Sequence, residues 1–299
     1  MMVDAKMLDK ISSAPGFIAA LDQSGGSTPG ALRLYGIAES EYQGDEEMFR
    51  LMHAMRVRIM SAAAFSGDKV IGAILFERTM DGDVNGQAVP SYLWEKRGVV
   101  PFLKVDKGLM AEENGVQLMK AMPDLDPLLI RGREKGIFGT KMRSVIAQAD
   151  KAGIAAVVKQ QFEVGRQIIG QGLVPIIEPE VSIKSPTKEE AEVILRDEIA
   201  NELDKLSADE KVMLKVTIPT VADYYAPLVA HKAVVRVVAL SGGYTRADAC
   251  EKLSHNHGMI ASFSRALTEN LRVSMSDAEF EASLSETINE IYAASVNKA

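Results

Sequence analysis

Eight short apolar runs, each bounded by turn-forming residues and separated by longer segments of helical period, constrain this chain more than any other feature. They lie at 17–22 (FIAALD), 70–76 (VIGAILF), 100–106 (VPFLKVD), 139–144 (GTKMRS), 174–180 (VPIIEPE), 212–218 (VMLKVTI), 234–241 (VVRVVALS) and 259–264 (MIASFS). Each is short enough to be a strand and too short to be a core helix. Strands alternating with helices imply a parallel sheet with right-handed crossovers, and eight such units favour closure into a barrel over an open sheet. A length of 299 residues admits one large barrel or two modest domains. No linker rich in Pro, Gly or Ser divides it. The expected fold is therefore α/β, a (β/α)8 TIM barrel with a C-terminal helix, occupying 1–299 as a single domain.

The intervening helices can be counted by their stripes. Thr187-x-x-Glu190 reads as a capping box, after which Leu195, Ile199, Leu203 and Leu206 line one face. Ser276-x-x-Glu279 opens a last helix in the same way, with Phe280, Leu284, Ile288 and Ile291 as its buried stripe. The stripe of Met48, Met52, Met55 and Ile59 is read as packing.

Composition excludes several classes of function. A net charge of −7 argues against nucleic acid or an anionic membrane as the main ligand, because tracking phosphates over a surface needs an excess of Lys and Arg. An anionic substrate must instead meet a local basic cluster. The only cysteine, Cys250, cannot form an internal disulfide, and the first residues, MMVDAKMLDK, have no apolar signal core, so the expected compartment is the cytoplasm. No run is apolar enough to span a bilayer. The four histidines, His53, His231, His255 and His257, lack metal-ligand spacing, so no metal and no cofactor is expected. Two motifs are decoys. The 81–86 segment DGDVNG begins like a calcium loop but has Tyr92 at its twelfth position, where a bidentate Glu is required. Gly165, Gly170 and Gly172 do not follow a strand as a dinucleotide fingerprint would.

A TIM barrel carries its active site at the C-terminal ends of the strands. Here those ends are unusually polar. Asp22 ends the first run, Lys104 and Asp106 the third, and Glu178 and Glu180 the fifth. Lys141 and Arg143 lie in the fourth, Lys215 in the sixth, Ser241, Gly242 and Gly243 close the seventh, and Arg265 follows the eighth. Singly, each has an ordinary structural explanation: a snorkelling lysine, a helix cap, a turn. Their convergence on one rim favours chemistry. Residues two apart on a strand face the same way, so Lys141 with Arg143, and Glu178 with Glu180, are expected to point together into the mouth. Lys215 stands among Val212, Met213, Leu214, Val216 and Ile218. Burial there, and repulsion from a second cation such as Lys141, would disfavour the ammonium, leaving an amine that attacks carbonyls. The iminium so formed is an electron sink for carbon–carbon cleavage. A strand-end Glu suits the accompanying acid–base work, with Glu178 and Glu180 the available pair. Asp22 lies at the right rim to remove a hydroxyl proton, and Ser241, Gly242, Gly243 and Arg265 offer donors for a phosphate.

The ordered segments AALDQSGGS, AILFERT, VVPFLKVDKG, GTKMRSV, VPIIEPE, VMLKVTIP, ALSGG and SFSRAL resemble class I fructose-bisphosphate aldolase, most closely its bacterial branch, from about 17 to 267. The resemblance implies metal-independent, reversible cleavage of fructose 1,6-bisphosphate to dihydroxyacetone phosphate and glyceraldehyde 3-phosphate. It implies the Schiff base on Lys215, acid–base catalysis by Glu178 with Glu180 assisting, help in cleavage from Asp22, and orientation of the hydroxyls by Lys141 together with Arg143. Lys104 and Ser27 match groups near the phosphate far from the ketone; Ser241, Gly242, Gly243 and Arg265 match those at the nearer phosphate. Three departures from the animal enzymes stand out. Gln23 replaces a Glu, Met142 replaces a Trp, and the chain ends SVNKA, without the tyrosine tail that assists one proton transfer. The expected partner is a phosphorylated sugar, with no nucleic acid and no membrane, and a homo-oligomer is compatible with this reading. The rivals are another Schiff-base phosphosugar aldolase or a transaldolase, and a non-catalytic phosphosugar-binding barrel; basic anchors at both Lys104 and Arg265 favour a bisphosphate.

Overall fold

In the computed structural model, which describes residues 3–299, eight strands form where the apolar runs predict them. They are β1 (Phe17–Leu21), β2 (Val70–Leu75), β3 (Val100–Lys104), β4 (Gly139–Ile146), β5 (Val174–Val181), β6 (Val212–Thr217), β7 (Val234–Leu240) and β8 (Met259–Ala261). Each pairs in parallel with the next in chain order. Ala20 N donates to Phe263 O at 3.2 Å, bringing the exit of β8 back to β1 and nearly closing a TIM barrel. Most runs lose their last residues to the loops: Asp22, Asp106 and Ser241 lie just beyond their strands. β4 and β5 instead extend past the expected ends, staying in register from Gly139↔Val174 to Ile146↔Val181.

Alternation along the strands separates two cores. Ile18, Ile74, Phe102, Ile176, Met213, Val238 and Ile260 point inward and pack with Met7 and Ile11 of helix α1 (Ala5–Ser13), which plugs the N-terminal end of the barrel. Phe102 meets Phe138 edge-on there, ring centroids 5.4 Å apart. Arg236 of β7 pins the plug, its Nε donating to Ile11 O at 2.9 Å and its Nη2 to Ala14 O at 3.2 Å. The alternate residues point outward, Leu103, Met142, Ile177 and Leu214 among them, into a layer shared with the surrounding helices. Of these, α2 (Gly44–Ser61) buries Met48, Met52, Met55 and Ile59 as expected; α3 (Lys151–Gly170) follows β4, α4 (Lys188–Leu203) follows β5, and α5 (Asp277–Val296) is the C-terminal helix.

One capping box forms and one does not. Ser276 and Glu279 bond reciprocally at the start of α5. Thr187 stands at the N-cap of α4, but its hydroxyl accepts from Ala149 N at 2.9 Å, a loop donor from the preceding unit, and makes no cap bond. Leu206 lies beyond the end of α4 yet stays buried in the same core. The calcium-like 81–86 segment folds into a tight hairpin: Asn85 and Gly86 take φ of 52° and 81°, and Asp83 accepts from Gly86 N at 2.8 Å. Among the described residues no helix is long and apolar enough to cross a membrane.

Candidate active site

The inward rows of the strands change from apolar to ionic as they rise. Ile18 and Ala20 lead to Asp22, Val100 and Phe102 to Lys104 and Asp106, Val174 and Ile176 to Glu178 and Glu180, and Met213 to Lys215. These residues line one open cavity of about 860 Å³ at the C-terminal end of the barrel. All twelve candidates named from the sequence line it.

At its base four buried groups form a chain. Lys141 Nζ lies 2.6 Å from Asp22 Oδ2 and 3.0 Å from Glu178 Oε2, and Glu178 Oε1 lies 3.1 Å from Lys215 Nζ. None of the four is more than 8% exposed. Two buried ammoniums facing two buried carboxylates compensate one another, whereas removing one would leave a costly unpaired charge. Burial works against the ionised form of Asp22, but the Lys141 and Lys215 ammoniums outweigh it and hold the carboxyl at about 2. For Lys141, burial is likewise outweighed, by Asp22 and Glu178, and its affinity for the proton rises above that of an ordinary lysine. The repulsion expected between the two lysines is thus interrupted: Glu178 stands between them.

The other members are arranged around this chain. Glu180 is ion-paired with Arg143, so the two strand-five glutamates have different partners. Lys104 Nζ donates to Asp106 O at 2.7 Å and to Asp106 Oδ1 at 2.8 Å. On the far side of the ring from β3, Gly242 and Gly243 after β7 take φ of +60° and +117°. A Cβ on Gly242 would also meet Ile183 Cγ2 at 2.6 Å, so both space and backbone require glycine there. Such a turn turns main-chain N–H groups toward an anion. Arg265 is exposed at the rim and has no ion pair among the described residues. Ser27 is exposed too, its hydroxyl donating to Ser24 O and accepting from Ser24 N, both at 3.0 Å.

Comparison with known proteins gives the family. The profile described as fructose-bisphosphate aldolase class-I matches residues 13–222. The chain belongs to the class I fructose-bisphosphate aldolases. It is 55% identical to a fructose-bisphosphate aldolase class 1 of Synechocystis sp. over 291 residues, 97% of each chain. A relative of the same name from Porphyromonas gingivalis is 54% identical over 294 residues, 98% of this chain and all of the relative. The solved fructose-bisphosphate aldolase of Plasmodium falciparum shares the fold, with a TM-score of 0.76 at 19% identity, over 100% of this chain and 97% of its own.

Two supporting residues of this aldolase were not found from the sequence. Arg56, 1% exposed, projects from α2 and donates to Thr79 Oγ1 at 2.7 Å, to the carbonyl of Gln23 and to Gln23 Oε1 at 3.3 Å. Gln23 Nε2 in turn donates to Ser264 Oγ at 2.7 Å, so the residue following Asp22 is tied to both α2 and the β8 exit. Burial lowers the Arg56 guanidinium to about 10. A signal existed: Arg56 falls four residues after Met52, a charge on an apolar stripe. The second is Gln161 of α3, wholly buried behind Glu178. Of the two departures inside the barrel, Gln23 belongs to this seam and Met142 packs outward in the helix–sheet layer. The final residues lie at the opposite end from the mouth, where Lys298 Nζ donates to Met259 O at 2.7 Å beside the start of β8.

Proposed function

We propose that the chain, acting over 1–299 as one barrel domain, reversibly cleaves fructose 1,6-bisphosphate through a Schiff base on Lys215. The observation that carries this reading is Glu178 held between Lys141 and Lys215, at 3.0 and 3.1 Å. A carboxylate there can take the proton that Lys215 must lose before its nitrogen adds to the ketone. It can then return that proton to the carbinolamine hydroxyl, which departs as water and leaves the iminium. The carbon–carbon bond beside the iminium breaks, its electron pair passing into the enamine, while the hydroxyl on the leaving carbon becomes an aldehyde. Asp22 is the acceptor for that hydroxyl proton. Held at about 2 by its lysine neighbours, it is a weak base toward a resting alcohol. It becomes competent only as the bond breaks and the hydroxyl oxygen turns into a carbonyl. Lys141, which keeps its proton, orients the hydroxyl and balances the charge that develops on it. Protonation of the enamine and hydrolysis of the iminium release dihydroxyacetone phosphate and restore Lys215.

Glu180, bound to Arg143, is read as assisting and Glu178 as the proton carrier. Ser241, Gly242, Gly243 and Arg265 receive the phosphate nearer the ketone, and Lys104 with Ser27 the farther one. Two receptors on opposite sides of the mouth favour a bisphosphate over the single phosphate of the rival substrates. The reading includes a cytoplasmic setting, supported by the single buried cysteine.

Borohydride reduction in the presence of dihydroxyacetone phosphate, with mapping of the adduct, tests this directly. Modification of Lys215 with loss of activity is expected, with activity unchanged by prior EDTA treatment. An adduct on another lysine, or loss on chelation restored by zinc, breaks the mechanism.

A further inference from the structure

We propose that Gln161 is a positioning residue for Glu178, setting the direction in which its carboxylate meets the two lysines; this rests on the acid–base reading of Glu178. Gln161 has no exposed surface, and on α3 it is flanked by buried Val157, Val158 and Phe162. A place that needed only volume would be filled by an apolar residue, since a buried amide costs free energy unless each polar atom is bonded. Here each is. Gln161 Oε1 accepts from Glu178 N at 3.0 Å, and Nε2 donates to Glu178 O at 3.1 Å and to Ser144 Oγ at 3.0 Å.

Both main-chain polar groups of one residue are therefore bonded by one side chain, in addition to the pairing of that residue with Arg143 of β4. The position is significant. The ladder from β5 to β6 covers Ile176↔Met213 and Ile177↔Leu214 and goes no further, so at Glu178 strand pairing continues on one side only, opposite Arg143 of β4. The next residue, Pro179, has no N–H to offer. With its N–H and C=O fixed from α3, the Glu178 Cα–Cβ bond has a fixed direction, and the two carboxylate oxygens reach Lys141 and Lys215 together. Residues remote from the reacting atoms matter in this way because a misplacement of roughly 1 Å can cost on the order of a hundredfold in rate.

The test is a cycle of four full-length proteins: wild type, Gln161→Met, Glu178→Gln and the double variant. Gln161→Met is expected to lower kcat by about ten- to a hundredfold with KM changed by only a small factor, and to shift the acid limb of the pH–rate profile. In the Glu178→Gln background the same substitution should lower kcat no further. Wild-type turnover in Glu178→Gln would overturn the acid–base reading itself. If Glu178→Gln is crippled, normal turnover in Gln161→Met, or an equal further loss in the double variant, would overturn the positioning role alone. Gln161→Asn keeps a buried amide but is one methylene too short to span both groups, and covers the case in which the Met variant does not fold. It should also lose kcat, and full turnover in it would overturn the proposal.

Discussion

The floor and the mouth of this barrel are built from the same inward rows of the same strands, filled in opposite ways. At the floor Ile18, Phe102, Ile176 and Met213 meet Met7 and Ile11 of α1 in a dry apolar cluster. Four or fewer residues further along, the rows deliver Asp22, Lys104, Glu178 and Lys215 to a cavity. Lys104, Glu178 and Lys215 each keep a ladder partner on one neighbouring strand, and Asp22 directly follows the last paired residue of β1, so the ionic residues are carried on a backbone that the floor has already fixed. Stability and chemistry are thereby separated along one axis. A large side chain lost from the floor should cost folding, and a charge lost from the mouth should cost turnover.

The strongest way to break this comparison is Phe102→Ala. Phe102 is fully buried and packs on Phe138, so the cavity left behind should cost about 3–5 kcal/mol of stability in denaturant unfolding. Turnover of the protein that remains folded, measured at low temperature, should stay within a small factor of wild type. A specific loss of kcat without loss of stability would show that the floor shapes the chemistry.

At the mouth the next largest effect is expected from Arg265→Ala. A charge-assisted bond to a phosphate contributes roughly 1.5–3 kcal/mol, so affinity for dihydroxyacetone phosphate should fall about ten- to a hundredfold or somewhat more. Affinity for glyceraldehyde 3-phosphate should change little, and unfolding should be unaffected because the side chain is exposed. Lysine should rescue only partly, since a point charge lacks the forked donor geometry. Equal weakening of both ligands would exchange or merge the two phosphate ends.

A smaller effect sharpens the comparison, because one mouth residue also contributes to folding. The Asp22 carboxyl lies at about 2, below its ordinary 3.8. A depressed carboxyl stabilises the fold above its unfolded value and loses that contribution as pH falls through its folded value. The difference in unfolding free energy between wild type and Asp22→Asn should therefore be roughly 2 kcal/mol near pH 6 and shrink steadily between about pH 4 and 2. A difference that stays constant over that window would mean that the charge of Asp22 is not what stabilises the fold.

Much of this was legible because one periodicity carries two messages. In VPIIEPE or VMLKVTI the apolar residues announce a strand, and the ionic ones, two apart on the inward row, announce the rim. What could not be read was which charge meets which. Lys141 and Lys215 looked like mutually repelling neighbours, but β5 stands between their strands and its Glu178 reaches both. Spacing alone left Glu178 and Glu180 equivalent and only the resemblance ranked them; in the structure Glu180 pairs with Arg143 and Glu178 with the two lysines. Arg56 and Gln161 escaped because they act from helices on main-chain groups, and a main-chain partner leaves no mark on residue identity. Thr187 shows the converse error, a good local cap signal overridden by a tertiary donor, Ala149 N.

The helical plug at the floor bears on traffic as well as on folding. With α1 seated under Ile74, Phe102 and Ile260 and fastened by Arg236, the barrel of the described residues is closed at one end and open at the other. On the proposed mechanism, substrate, both products, and the water released and consumed at Lys215 all share that doorway. On that mechanism the aldehyde must leave by this passage before the water that hydrolyses the iminium can enter by it.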